Sequence, residues 1–368
     1  MSTIQKHDPA IINEVLSYTR IEIQKEIKRY IEAKQMEKDA YSPLYDLSLD
    51  YPLRKGKMLR PALCISMSRA VGGLGESAVT IAAALELYHN AFLIKDDFED
   101  ESDTRRGSDT LYRKLGIPRA MNVGDATNVL AVGMIMENLS ILGVGKTLHI
   151  LQEIELMARQ SVEGQAMELD WRHFHTYGLG DENYATMCVK KTCWYTFMSP
   201  GRIGLISGSS PLKTANLNTA LASVSKMAMN LGLAFQIQDD ILNIEGSFKN
   251  YGKETAGDLL EGKRTILLNH VLNHSESKDK IVDIINKERK HKSEADVDFI
   301  LREMQKCGSI DYAKNLAGEY ALKAEKSLEK IEFLQSYSPI RPEEKWKCET
   351  ADRRFIKEVI NYVIQRNH

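Results

Sequence analysis

The sequence predicts an all-α protein, a single large bundle of about a dozen helices around a central cavity. Three observations carry that prediction. No proline occurs from position 212 to 338, and proline is excluded from helix interiors because it lacks the N–H and clashes with the preceding turn. The same stretch is rich in Leu, Lys, Glu and Ala, which are good helix formers. Apolar residues recur at i, i+3, i+4 and i+7 in several long runs, whereas alternating strand-like runs are almost absent. The chain has 368 residues, of which 43% are hydrophobic, enough to bury one sizeable core.

Along the chain, residues 1–50 read as an N-terminal helical segment. The run "TIAAALELYHNAFLIKDDFED" has helical periodicity. The runs "NVLAVGMIMENLSIL", "TLHILQEIELMARQSVEGQAMEL" and "ASVSKMAMNLGLAFQIQDDILNI" are apolar around most of their circumference, as central helices of a bundle are. Turn signals separate them at "VGGLGES", "LGIPRAMN", "GVGKT", "YGLGDEN" and "SGSSPLKT". The segments "NHSESKDK" and "SYSPIRPEEKWKCETADRR" read as exposed connections, the second leading within residues 335–368 to a C-terminal helix. No repeat or compositional break divides the chain, so one domain is expected over 1–368.

The formal net charge is −2, which gives no electrostatic footprint for nucleic acid. The five cysteines, Cys64, Cys188, Cys193, Cys307 and Cys348, are odd in number and irregularly spaced, as in a reducing compartment. Cys188 and Cys193 lack the partners of a metal site and read as core thiols. The N-terminus has no basic-then-apolar leader. No run reaches the roughly 18 uninterrupted apolar residues of a spanning helix, since Glu86 and Glu137 interrupt the longest candidates. A soluble, cytoplasmic protein is expected.

Six acidic residues fall between Asp96 and Asp103. Asp96, Asp97 and Asp100 stand at i, i+1 and i+4 at the end of an apolar helix, so all three can reach one cavity. Close carboxylates repel one another and need either solvent or cations. Taken alone, the cluster fits a solvated helix end better than an Mg²⁺ site, Mg²⁺ being a cation that takes oxygen ligands and completes its shell with water and phosphate. The second cluster, Asp239, Asp240 and Asn243 in "FQIQDDILN", repeats the spacing after another apolar helix. Two such sets facing each other across a bundle could hold several divalent ions and, on them, a diphosphate. Basic residues are ordered around them: Lys57 and Arg60 in "GKMLRP", Arg105 and Arg106 in "DTRRG", Lys191 beside Thr192, and Lys253 and Lys263 in "GKETAGDLLEGKRT". Guanidinium groups grip phosphate bidentately and lysines act as point charges.

The ordered set "GKMLRP", "DDFEDESDTRRG", "EGQAMELD", "KKT", "FQIQDDILN" and "GKETAGDLLEGKRT", from about Lys55 to Arg264, resembles the trans-type prenyl diphosphate synthases. That resemblance implies the isoprenoid synthase type of helical fold and condensation of isopentenyl diphosphate with an allylic diphosphate. The expected product is a short all-trans prenyl diphosphate. It implies three Mg²⁺ ions on Asp96, Asp100 and Asp239, supported by Asp97, Asp240 and Asn243. Arg105, Lys191 and Lys253, with Lys263 nearby, are expected at the allylic diphosphate; Lys57, Arg60, His89 and Arg106 are expected at isopentenyl diphosphate. Thr192 and Gln236 are placed to present oxygen dipoles to the carbocation. A homodimer is expected from the family alone.

Rings on the face running back from Asp96 should form the pocket floor: Phe92 at i−4 and Tyr88 at i−8, with the small Ala91 beside them. Bulk there favours products of about fifteen to twenty carbons by filling space that a longer chain needs. Two positions depart from the family pattern. Asn243 replaces the last aspartate of the second motif, and Lys95 stands where the family often has His. Lys95 either holds an aspartate or faces a neighbouring helix. Glu99, Glu101 and Asp103 read as solvated acids. Two other readings remain, a terpene cyclase on the same fold and a non-catalytic partner subunit. Retention of the isopentenyl set argues against the first; retention of the first acidic motif and both arginines argues against the second.

Overall fold

The long apolar runs become the longest helices. In a computed structural model of the chain, the described residues are 9–73, 75–209, 214–245, 256–335 and 349–365. The first part comprises α1 (Pro9–Gln35), α2 (Ser42–Leu53), α3 (Leu59–Ala70), α4 (Gly75–Glu99), α5 (Leu111–Leu115), α6 (Ile117–Glu137), α7 (Leu139–Leu142) and α8 (Val144–His173). A continuous helical rod follows, made of α9 (Asp181–Cys188), a π-helical segment (Val189–Met198) and α10 (Ser199–Gly208). The remainder is α11 (Thr214–Glu245), α12 (Gly257–Glu261), α13 (Ile266–His274), α14 (Lys278–Ile285), α15 (Glu294–Lys306), α16 (Ser309–Leu328), α17 (Glu332–Gln335) and α18 (Glu349–Gln365).

Helices α4 and α11 end in the two acidic clusters, and both are central: α4 packs on α6, α3 and α1, and α11 packs on α16 and the π-helical segment. By length and composition alone α4 could cross a membrane, but 78% of its most apolar window is buried inside the protein.

Among the described residues strand structure is confined to one small antiparallel hairpin, in which Thr104–Arg105 (β1) pairs with Ser108–Asp109 (β2). Arg106 and Gly107 at its tip have φ of +53° and +79°, the two left-handed residues that a type I′ turn requires. The sequence "RRG" thus supplies turn chemistry as well as charge. The end of the second presumed connection, "ETADRR", is helical and lies in α18. There Asp352 and Arg353 are buried; Asp352 accepts hydrogen bonds from Arg69 at 2.8 Å and Ser66 at 3.2 Å. With Phe355, Ile356, Val359 and Val363 in the core, α18 is a structural helix packed on α3 and α1.

Candidate active site

The first cluster divides its three carboxylates between different tasks. Asp97 is fully buried and accepts hydrogen bonds from Tyr51 Oη at 2.5 Å and Arg105 Nε at 2.8 Å. Burial pushes its pKa up, with Arg105 pulling the other way. Asp96 is partly exposed, 3.7 Å from both Lys191 Nζ and an Arg105 nitrogen. Asp100 is buried and ion-paired with Lys263 at 2.6 Å and Arg172 at 2.9 Å. Burial alone would raise its pKa, but Lys263, Lys191 and Arg172 outweigh it and hold the carboxyl below the usual range. Asp97 is thus a bracket for Arg105, while Asp96 and Asp100 carry charge toward the lysines.

In the second cluster Asp240 is buried. It accepts hydrogen bonds from Tyr184 Oη at 2.7 Å, Gln236 Nε2 at 2.9 Å and the Ile266 N–H at 3.3 Å. Burial, then the nearby Asp258, push its pKa up to about 8. Asp239 is partly exposed. Asn243 accepts the Asp258 N–H on its side-chain oxygen at 3.2 Å, and its own carbonyl accepts the Ala256 N–H at 2.7 Å. The departure from aspartate therefore coincides with a neutral acceptor that receives the returning chain where α12 begins. Lys253 lies outside the described residues.

The π-helical segment joins the two clusters. A regular α-helix through it would drive the Pro200 ring into the carbonyl of residue 196. Widening to i→i+5 bonds removes that conflict, and the Ser199 N–H reaches the Trp194 carbonyl. Two glycines lodge the wide segment between its neighbours. A Cβ on Gly164 of α8 would stand 2.2 Å from the Lys191 nitrogen, and one on Gly232 of α11 would stand 2.6 Å from Cys193 Sγ. Wide turns of this kind are often found at functional sites. Here the segment presents Lys191, ion-paired with Glu168 and near Asp96. It also presents Thr192, whose Oγ1 donates to Gln236 Oε1 at 2.8 Å. Gln236 in turn donates to Asp240, so the chain from Asp96 through residues 191 and 192 to Asp240 is continuous.

A separate set of cations sits beside this one. The left-handed Arg106 reaches Glu86 at 3.6 Å and Asn90 Oδ1 at 3.4 Å. Its guanidinium lies against Gly56, where an added Cβ would come within 2.9 Å of it; the glycine of "GKMLRP" is needed for that contact. Arg60 stacks 4.4 Å over the Tyr195 ring and donates to Thr196 Oγ1 at 2.8 Å. His89 stacks on the same ring at 5.8 Å. His89 Nδ1 and Arg60 Nε are buried with no hydrogen-bond partner among the described residues. Burial first, then Arg60, Arg106 and Arg105, lower the His89 pKa well below its usual value, so the ring is neutral. Lys57 is exposed.

Phe92 stacks along α4 with Tyr88, ring centroids 6.4 Å apart, and meets Tyr195 edge-on at 5.7 Å. Ala91 is fully buried, its carbonyl near Gly124 of α6. Lys95 pairs with Asp125 of α6 at 2.7 Å, so it holds an aspartate on the neighbouring helix and not one of the cluster. Glu99 is not a solvated acid: it is partly buried and accepts from Gln165 Nε2 at 2.6 Å. Glu101 and Asp103 are exposed as expected.

Sequence reasoning missed Glu86, Asn90, Glu168, Arg172, Tyr51 and Tyr195. Glu86, a lone acid among alanines and leucines, and Glu168, inside the motif "EGQAMELD", were legible signals; the others have none without the fold.

The sequence model of the polyprenyl synthetase family matches residues 42–304. The chain is 30% identical over 332 residues to a geranylgeranyl pyrophosphate synthase of Geoglobus acetivorans, covering 88% of this chain and 91% of that protein. It is 32% identical over 273 residues to an octaprenyl diphosphate synthase of Escherichia coli, covering 73% and 78%. The crystal structure of a geranylgeranyl pyrophosphate synthetase from Pyrococcus horikoshii superposes with a TM-score of 0.80 at 27% identity, covering 97% of this chain and 99% of that one.

Proposed function

The chain belongs to the polyprenyl synthetase family, and from that membership we propose a prenyltransferase that joins isopentenyl diphosphate to an allylic diphosphate. The observation that carries this reading is the presence of two cation sets of different character. Lys191, Lys263 and Arg105 are each paired with an acidic-cluster carboxylate, as suits a diphosphate that arrives with metal. Arg60, His89 and Arg106 make no contact with the two acidic clusters in the interactions described, as suits a diphosphate bound directly. Two diphosphate positions imply two substrates, which favours elongation over cyclisation of one.

The donor set fits Mg²⁺. Among the described residues no three acidic, His or Cys side chains form a closed metal cage, and Mg²⁺ bound by one or two carboxylates plus substrate phosphate needs none. Asp96, Asp100 and Asp239 would hold the ions, with Asp97, Asp240 and Asn243 fixing the geometry around them. Bound Mg²⁺ would supply Lewis-acid stabilisation of charge on the departing diphosphate.

The protein's own groups do the rest. Lys191, Lys263 and Arg105 stabilise the leaving diphosphate electrostatically. Arg60, Arg106 and Lys57 orient isopentenyl diphosphate so that its double bond faces the allylic carbon. The neutral His89 can donate one hydrogen bond without adding charge. Thr192 and Gln236 present oxygens to the carbocation, and the released diphosphate takes the proton. The rings of Phe92, Tyr88 and Tyr195 exclude water from that cation. They also support a short product of about fifteen to twenty carbons by occupying space that a longer chain needs.

We also propose a homodimer formed on the outward face of α6 and α8. Met121, Val129, Val132 and Met136 share one face of α6 by helical spacing, Val144, Leu148 and Val162 share one of α8, and all are exposed. An apolar stripe of this length points to a protein partner. The four cysteines within the described residues are free thiols, which supports a cytoplasmic location.

The test is product analysis. The protein is incubated with Mg²⁺, isopentenyl diphosphate and the five-, ten- or fifteen-carbon allylic diphosphate. Elongated prenyl diphosphates are expected. Hydrocarbons formed from an allylic substrate alone would replace this reading with a cyclase, and no product without a second chain would replace it with a partner subunit.

A further inference from the structure

A cavity of about 350 Å³ opens between the end of α8, the turn at Gly262 and the segment joining α14 to α15, with Asp100 in its wall. Two of its cations, Arg264 and Lys292, have no carboxylate at ion-pair distance among the described residues. Arg264 is 3% exposed, yet among the described residues its guanidinium meets only the carbonyls of Gly262, Thr176 and Trp171 and the face of Tyr177. Lys292 donates to the Leu260 carbonyl at 2.5 Å and meets no carboxylate among the described residues. An ammonium has three donors, so two remain for another acceptor. Arg172 gives one nitrogen to Asp100 at 2.9 Å. A Cβ on Gly262 would stand 3.7 Å from both Arg264 Nη1 and Lys292 Nζ, so these two charges flank one turn.

Three of the four acids lining the cavity are already committed. Asp100 and Glu261 both pair with Lys263, at 2.6 and 2.8 Å, and Glu261 also pairs with Arg289 at 3.3 Å. Glu101 and Glu288 are exposed at the rim, Glu288 being paired with Lys290 at 2.8 Å. Burial, then repulsion from Arg172, Arg264 and Arg289, push Lys292 down to about 8 against the opposing pull of Glu261, as expected where like charges crowd around a buried ammonium.

We propose that this cavity is a second anion site, separate from both diphosphate positions, which takes a phosphate or diphosphate group between Arg172, Arg264 and Lys292. Tetrahedral oxyanions match the forked donors of arginine and the point charge of lysine. An occupant also draws Arg172 away from Asp100. If Asp100 is an Mg²⁺ ligand, occupancy and metal binding are coupled, and equally so in each direction; only that coupling rests on the function proposed above. The group can be free phosphate or the head of a phosphorylated lipid.

The test titrates inorganic phosphate into the full-length, metal-free protein by calorimetry. Lys292→Gln is expected to weaken one binding event at least tenfold, Lys292→Arg to restore it, and Lys57→Gln to leave it unchanged. Equal binding in wild type and Lys292→Gln overturns the proposal, as does a single event abolished by Lys57→Gln. Tungstate soaked into wild-type crystals keeps the test independent of variant folding: anomalous density beside Lys292 is expected, and an empty cavity overturns the site. Competition by a prenyl monophosphate for the Lys292-dependent event assigns the occupant to a lipid head group. No competition by the prenyl monophosphate assigns it to free anion.

Discussion

Single residues in this site act through their neighbours' chemistry. Asp97 shows it: its position in the motif suggests a ligand, but Tyr51 and Arg105 absorb its lone pairs. Lys95 shows it as well, since Asp125 takes its charge onto α6. Phe92 is the residue whose replacement should change the outcome of the reaction. It is partly exposed, and its ring lies between Tyr88 and Tyr195. Phe92→Ala should lengthen the product by at least one five-carbon unit, and Tyr88→Ala should do the same with a larger stability loss. A buried aromatic truncated to alanine typically costs about 3–5 kcal/mol. Chromatography of dephosphorylated products reads the chain length; an unchanged product in both variants would remove the rings from length control.

Among the elements, the π-helical segment is the one whose shape sets the position of Lys191 between Glu168 and Asp96. Its seat depends on Gly164, so Gly164→Ala must push Lys191 away from Glu168 and Asp96. We expect kcat to fall at least tenfold, with about 1–3 kcal/mol of overpacking strain. Gly318 of α16 is the control, because an added Cβ there meets nothing within 4 Å. Gly318→Ala should stabilise by about 0.4–1 kcal/mol and leave kcat unchanged. Thermal midpoints and steady-state rates separate the two; equal behaviour would deny Gly164 its positioning role.

The same element shows where sequence reading stops. Helix periodicity made α4, α6, α8 and α11 legible, because burying an apolar stripe imposes a spacing that can be counted. The six ordered motifs made Asp96, Asp100, Lys191, Gln236 and Lys263 legible. A change from i+4 to i+5 bonding leaves no periodic trace over ten residues; only Pro200, sitting in an otherwise helical run, hinted at it. Arg172 was invisible for another reason. Its value lies in reaching Asp100, 72 positions away, and nothing local encodes that. The "ETADRR" stretch misled because charge density was taken for exposure, whereas Asp352 and Arg69 neutralise each other inside the protein.

At the scale of the molecule, the exposed stripe on α6 and α8 should decide whether two copies associate. Val129→Asp combined with Val132→Asp places two charges on that stripe without touching the core, since Val129 is 71% and Val132 41% exposed. Light scattering should report a dimer for wild type and a monomer for the double variant. A wild-type monomer, or an unaffected dimer, would move the interface elsewhere.

Helix α18 has a consequence in time as well as in space. Its Asp352 neutralises Arg69 of α3 across 283 positions, and α3 carries Arg60 at its start. During synthesis at about 5–20 residues per second, α3 must wait tens of seconds before that counterion exists. Burying Arg69 earlier would deprive a buried charge of the Asp352 carboxylate, at a cost of several kcal/mol. The helix that begins with Arg60 is therefore expected to settle late on the ribosome, after the acidic helices have emerged. A nascent chain halted before residue 349 should still expose α3 to protease.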